Sequence, residues 1–171
     1  MVKLLVAVLL SISSFSLFAD GLTSTGSGIR VKKIAFIDVK VYSISHSMKD
    51  LPATKSAAEI INAETDKKFT LKMLRNVDSA KIVTAINEAF QLNGYSNKAN
   101  QDKFSSVLTG DLAEGDTITI SYSAASKSVT CSYKGKSSTV AGSDFMKAVW
   151  SIWFGKIDQP SLTASLMSAI K

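Results

Sequence analysis

The chain has 171 residues, 46% of them apolar and 20% charged, with two prolines, one cysteine and one histidine. That length corresponds to one domain, able to bury close to ~70% of its unfolded surface without help from disulfides or metal. The lone Cys131 excludes an internal disulfide or a thiolate zinc cluster, and the lone His46 excludes a His-pair metal site and leaves a serine–histidine relay without support.

Met1-Val2-Lys3 supplies one positive charge, and Leu4 to Phe18 is apolar or small without a charge, closing at Ala19 before Asp20. This is the pattern of a secretory signal peptide over residues 1–19, with the mature domain spanning 20–171. The run is shorter than the ~20 apolar residues of a bilayer-spanning helix, and no second hydrophobic span follows. The mature chain is expected to be a periplasmic or secreted monomer without an integral membrane span. Its net charge, +6 for the whole chain, is +5 without Lys3. The lysines are scattered, with doublets only at Lys32-Lys33 and Lys67-Lys68, so they read as a solvated surface and not as a nucleic-acid stripe.

Residues 21–28 read as flexible or as a weak edge strand; they precede neither a lysine nor a helix in the manner of a phosphate loop. Ile29 to Ile37 and Val39 to Ile44 are extended runs, with Asp38 between them as a turn or bulge. Lys55 to Ala63 is a short helix after Pro52. Lys68 to Leu74 alternates Phe69, Leu71 and Met73 inward against Lys68, Thr70 and Lys72 outward. Asp78 or Ser79 caps a helix whose Ile82, Ala85, Ile86, Ala89 and Phe90 share one face, stopped at Asn93-Gly94. A second helix runs from about Lys98 to Leu108. Thr117–Tyr122, Val129–Tyr133 and Ser137–Val140 form an antiparallel meander. Gly142-Ser143-Asp144 caps a helix ending at Phe154-Gly155, and Pro160 opens the last one, ending at Ile170. Strands and helices come in blocks without βαβ repetition, which predicts an α+β fold with helices on one face of an antiparallel sheet.

Three stretches carry a resemblance. Gly28-Ile29-Arg30-Val31-Lys32 with Phe36 and Lys40-Val41-Tyr42 is the first, and Phe69 to Val77 followed by the Ser79–Phe90 helix is the second. The third joins Gly115-Asp116-Thr117-Ile118, Gly142-Ser143-Asp144-Phe145 and Ser151-Ile152-Trp153-Phe154-Gly155. In order and spacing they resemble the exported bacterial branch of the chalcone isomerase-like family. The resemblance implies an open-faced β-sandwich, a large antiparallel sheet with a layer of helices and a cleft between them. Of the plant isomerases' catalytic groups it carries over only the arginine, at Arg30. Tyr42, Asp78, Ala85 and Ile152 stand at or near the positions of the others. Fatty-acid-binding members of the fold pair the arginine with a tyrosine that grips a carboxylate, and Arg30 with Tyr42 looks like that arrangement.

The chemistry of that pair is independent of the family: a guanidinium fork matches a carboxylate, and a phenol adds a short donor. Unbroken alternation puts Arg30 and Tyr42 on one apolar layer with Ile34, Phe36 and Ile44. The competing readings are a solvated or salt-bridged arginine at a strand end and a tyrosine of the ordinary core. Arg75 either lines the cleft or pairs Asp78. Trp150 and Trp153 read as the core face of their helix, Cys131 as a small buried hydrophobe, His46 as a surface or capping group, and Asp116 and Asp144 as turn and cap. Three functions stay open: a binding protein for a fatty-acid-like or other amphipathic carboxylate, an isomerase using Arg30 for oxyanion stabilisation, and a structural or docking envelope protein. None needs a cofactor or a metal. The secreted form is expected to begin at or close to Asp20, which N-terminal sequencing of periplasmic protein checks; an intact Met1 on a soluble cytoplasmic species is the contrary result.

Overall fold

Strand alternation and helix periodicity build one six-stranded antiparallel sheet with five helices. The structure is a computed structural model that describes residues 21–171; the signal-peptide reading lies outside the described residues. The sheet order is β1 (Thr23–Ile34), β2 (Ile37–Met48), β3 (Lys67–Met73), β6 (Thr117–Ser123), β7 (Ser128–Tyr133), β8 (Lys136–Ala141). The crossover from β3 to β6 carries α2 (Ser79–Leu92) and α3 (Lys98–Ser105), and a two-residue ribbon of β4 (Val77–Asp78) with β5 (Asp111–Leu112) braces it. α1 (Ala57–Asn62) precedes β3, and α4 (Ser143–Phe154) and α5 (Pro160–Leu166) close the chain. The α+β expectation is therefore met.

Period-two alternation decides which face the helices cover. Phe69, Leu71 and Met73, Ile118, Ile120 and Tyr122, and Val129, Cys131 and Tyr133 are all buried. The other face is polar: Ser27, Ser45, Thr70, Thr119, Ser132 and Ser137 lie in one cross-strand row and leave that side open to water. The helix layer runs from α5 over β1 and β2, through α4, to α3 over β7 and β8. Asp78 accepts from the Ala80 amide at 2.8 Å and starts α2, and the Ser56 hydroxyl accepts from Glu59 to start α1. Lys134-Gly135, both at positive φ, make the tight turn from β7 to β8.

The N-terminal strands differ from the expectation in part. Residues 23–28 take the edge-strand alternative, as the first half of β1, but the first reversal falls at Ala35-Phe36 and not at Asp38, which lies inside β2 opposite Lys33. Two register shifts interrupt the pair, leaving Thr25 on β1 and Val41 on β2 without cross-strand partners. Gly26, at φ 150°, sits under α5, where a Cβ would overlap the Ser165 carbonyl oxygen; the absence of a side chain is what lets α5 lie on the strand. α3 stops at Ser105 and α5 at Leu166, both short of the periodic pattern. Asp144 lies in the first turn of α4 but makes no cap; the N-cap is Gly142, which has no side chain to accept with.

His46 is not a surface group. It is 1% exposed, packed against Phe69 and Phe154. Trp150 Nε1 can only donate, and it donates to His46 Nε2 at 2.9 Å; the ring proton is therefore on Nδ1, which donates to Thr25 Oγ1 at 2.7 Å. Thr25 in turn donates to the Leu166 carbonyl at 2.7 Å. Lys67, read with its neighbour as solvated surface, is also buried. Its Nζ donates to the Ile60 and Ile61 carbonyls at the end of α1 and lies 4.7 Å from the Trp150 ring centroid. Burial pulls the Lys67 ammonium down to about 7. Burial, and secondarily the nearby Lys67 charge, hold His46 down at about 3.

The folded His46 pKa lies below the unfolded value of about 6.5, so its stabilising effect is complete above pH 6.5 and is lost as the pH falls toward 3. At pH 5, about 1.5 units below the unfolded pKa, the loss is about 2 kcal/mol. Lys67 changes stability between about 7 and 10.5 and leaves this window untouched. Urea unfolding at pH 6.5 and 5.0, both below the Lys67 range, should show most of this acid loss in the wild type and not in His46→Gln; equal losses in both proteins would contradict it.

Candidate functional site

Antiparallel pairing places Tyr42 directly across from Arg30, so the two sequence-selected residues meet as cross-strand partners. Their shared face does not extend into a core along the hairpin, because Ile34 and Phe36 are exposed. Beside them lies a cavity of about 270 Å³ between the sheet and α2. Leu71, Ile118, Ile120 and Cys131 form its sheet wall, and Ile82, Ile86 and Ala89 its helix wall. Arg30, Tyr42, Trp153, Lys32, Lys156, Asp158 and Glu88 supply polar groups to its lining, the last four residues being exposed to solvent. It is an apolar enclosure with its polar groups drawn largely from one rim.

The glycines of β1 and the two last helices create this rim. α5 lies over Gly26 and Gly28, and the residues just before it meet β1 where the next inward side chain, Arg30, begins. Gln159 docks on the strand, accepting from the Val31 amide at 2.9 Å and donating to the Ile29 carbonyl at 3.0 Å. Arg30 Nη1 donates to Asp158 Oδ1 at 2.7 Å and weakly to Gln159 Oε1 at 3.4 Å. Among the described residues, Arg30 Nη2 and Nε have no partner. The guanidinium holds the Asp158 carboxyl below the ordinary range. Asp158 is 60% exposed against 17% for Arg30, so this ion pair is mostly a rim contact.

Tyr42 is fixed from the other side. Trp153 Nε1 donates to its phenol oxygen at 3.1 Å. Among the described residues the Tyr42 O–H has no acceptor, so its proton is free to be donated. Burial pushes the phenol up, with the Trp153 bond and the Arg30 charge pulling the other way. It is a neutral donor at ordinary pH. Cys131 is pushed up to about 12 by burial and forms wall, not nucleophile.

Arg75 lies outside this cavity. It stands two residues beyond the end of β3, in an exposed bend. Ala85 and Ile152 line the cavity, while Asp78 is spent on capping α2. Trp150 and Trp153 are buried, as the helix periodicity indicates, and Trp153 is a cavity wall as well. Asp158 and Gln159 escape a reading of the sequence because they meet β1 from about 130 positions away, with no local pattern to mark them. Asp116 keeps its turn role, accepting from the Ala113 amide at 2.8 Å and from the Tyr133 hydroxyl at 2.7 Å.

Fold and site together define an α+β protein with an apolar cavity between sheet and helices and a cationic and phenolic group at its rim. The chain belongs to the chalcone isomerase-like family, whose model matches residues 13–166. Among solved structures it is similar to the Arabidopsis thaliana fatty-acid binding protein AtFAP1, with a TM-score of 0.71 and 13% sequence identity. The match covers 89% of this chain and 90% of that one, which fixes the fold. No curated protein sequence matches the chain. No helix among the described residues is long and apolar enough to cross a membrane.

Proposed function

We propose that this protein is an exported, non-catalytic carrier or sensor that holds the carboxylate of a fatty-acid-like amphiphile on Arg30 and Tyr42, with the acyl chain in the cavity. The observation that carries this reading is a guanidinium with two unpartnered nitrogens beside a phenol with an undonated proton, at the rim of an apolar enclosure. Those groups match a carboxylate's acceptor oxygens. The cavity of about 270 Å³ lies near the low end of small-ligand pockets, which run from about 300 Å³, and suits a medium-length acyl chain better than a long one. Asp158 occupies the outer half of the fork and stands in for the ligand's carboxylate. The similarity to a fatty-acid binding protein in the same fold supports this reading. Against catalysis stand Ala85 and Ile152, apolar cavity residues near the positions where, as the resemblance implies, the plant isomerases carry polar catalytic groups.

Titration of a fluorescent medium-chain fatty acid tests the clamp. Charge-assisted bonds are worth about 1.5–3 kcal/mol each, so Arg30→Ala should weaken binding about ten- to a hundredfold, and Arg30→Lys should recover only part. Tyr42→Phe removes one neutral donor and should cost about 0.5–1.5 kcal/mol. Asp158→Asn, by removing the competing carboxylate, should tighten binding a few-fold. Equal affinities throughout, or no binding by the wild type, would end the proposal.

Chalcone-to-flavanone conversion should not exceed the spontaneous rate, since general acid–base help contributes about 10²–10⁴-fold where it exists. A clear enhancement lost in Arg30→Ala would replace the carrier with an enzyme.

A further inference from the structure

The β1–β2 hairpin outruns the sheet. β3 pairs with β2 only from Tyr42 to Met48, so Val31–Ile34 and Ile37–Lys40 have only each other as strand partners. At the end stand Ile34 at 58% exposure, Phe36 at 98% and Ile37 at 69%, with Ala35 at φ 53° in the reversal. Turn chemistry does not account for these residues, because a two-residue hairpin with positive φ favours Asn and Gly. Packing does not account for them either, because nothing covers them. An apolar tip of this kind marks an interaction site.

Charge identifies the partner. Lys32, Lys33 and Lys40 flank the tip, all exposed, against the single carboxylate of Asp38. Lys33 lies opposite Asp38, two residues behind Phe36, so at ~3.3 Å per residue it sits about 7 Å behind Phe36 along the hairpin. Apolar groups of interfacial anchors enter a bilayer by ~5–10 Å, with basic residues left at the headgroups. The spacing here is the same. We infer that the hairpin is a membrane-docking arm, in which Ile34, Phe36 and Ile37 enter the interface of an anionic bilayer and Lys32, Lys33 and Lys40 contact its headgroups. A second copy of the chain suits the tip less well, because three apolar side chains offer far less than the ~800 Å² per partner of a stable protein interface.

Lys32 belongs to both the arm and the cavity lining, so the arm rises from the cavity rim. Docking brings that rim to the headgroup layer, where carboxylate amphiphiles reside. This use of the arm for loading rests on the carboxylate reading; the docking itself does not.

The test is co-sedimentation with phosphatidylcholine vesicles, with and without a quarter of phosphatidylglycerol. It uses protein expressed from the full-length sequence and recovered soluble, with the same N-terminus in every variant. The wild type should bind the anionic vesicles and be released by high salt. Phe36→Ser combined with Ile37→Ser should weaken binding about tenfold or more. Lys33→Glu combined with Lys40→Glu should weaken it more than about twentyfold, since each surface lysine is worth about fivefold. All these positions are exposed, so both variants should keep the wild-type thermal midpoint and fatty-acid affinity. Arg30→Ala should keep vesicle binding while losing fatty acid, which separates failure of the arm from failure of the clamp. No binding by the wild type, or undiminished binding by the apolar double variant, overturns the inference. So does a wild-type dimer in sedimentation velocity that becomes monomeric in Phe36→Ser, which would assign the tip to a second copy.

Discussion

Trp150 is held at its edge and on its face, and the arrangement of the helix layer depends on it. Its indole N–H ends on His46, and its ring lies under the Lys67 ammonium. The His46 bond continues through Thr25 to the Leu166 carbonyl, so one chain of hydrogen bonds joins α4, β2, β1 and α5 in which each named donor meets an acceptor. Lys67 fastens α1 to the same tryptophan by closing the carbonyls at its end. The chain of bonds requires a neutral imidazole, and the apolar surroundings and the neighbouring cation keep it neutral. A charged His46 would turn an N–H at Nε2 against the Trp150 N–H, donor facing donor, and break the chain of bonds there.

The site follows from that fixation. With Trp150 held, the next turn of α4 brings Trp153 to Tyr42 and occupies the phenol oxygen from one side, leaving its proton for another partner. With α5 seated on Gly26, the segment before it brings Gln159 and Asp158 to the strand at Arg30. Preorganisation of this kind lowers the ordering cost of binding, because the donors are positioned before a ligand arrives. It also settles the polarity of the cavity. Sheet and helix walls contribute aliphatic side chains, and the donors stand where two chain segments cross the strand edge.

Much of this was legible in the sequence. The alternation of Phe69, Leu71 and Met73, the spacing of Ile82, Ile86 and Phe90, and the Lys134-Gly135 turn specify strands, a helix and a hairpin through local rules alone. The same alternation, carried one step back, places Lys67 on the inner face; counting the Lys67-Lys68 doublet as surface charge concealed it. His46 was accessible by the same parity with Tyr42 and Ile44. Both run against the sequence expectation because charge and polarity weigh toward solvent unless a specific partner is known.

By itself the sequence determined the element types, the apolar faces of sheet and helices and the chemistry of Arg30 and Tyr42, since periodicity and residue chemistry are properties of neighbours along the chain; it is the bulge at Val41 that sets Tyr42 across from Arg30. Only the tertiary structure decided what meets them. Asp158, Gln159 and Trp153 reach the first strands from more than a hundred residues away, and two bulges set which side chains turn inward. The exposure of Phe36 was decided in the same way, by where β3 stops pairing with β2. Such contacts arise from how the layers close, which no local pattern encodes.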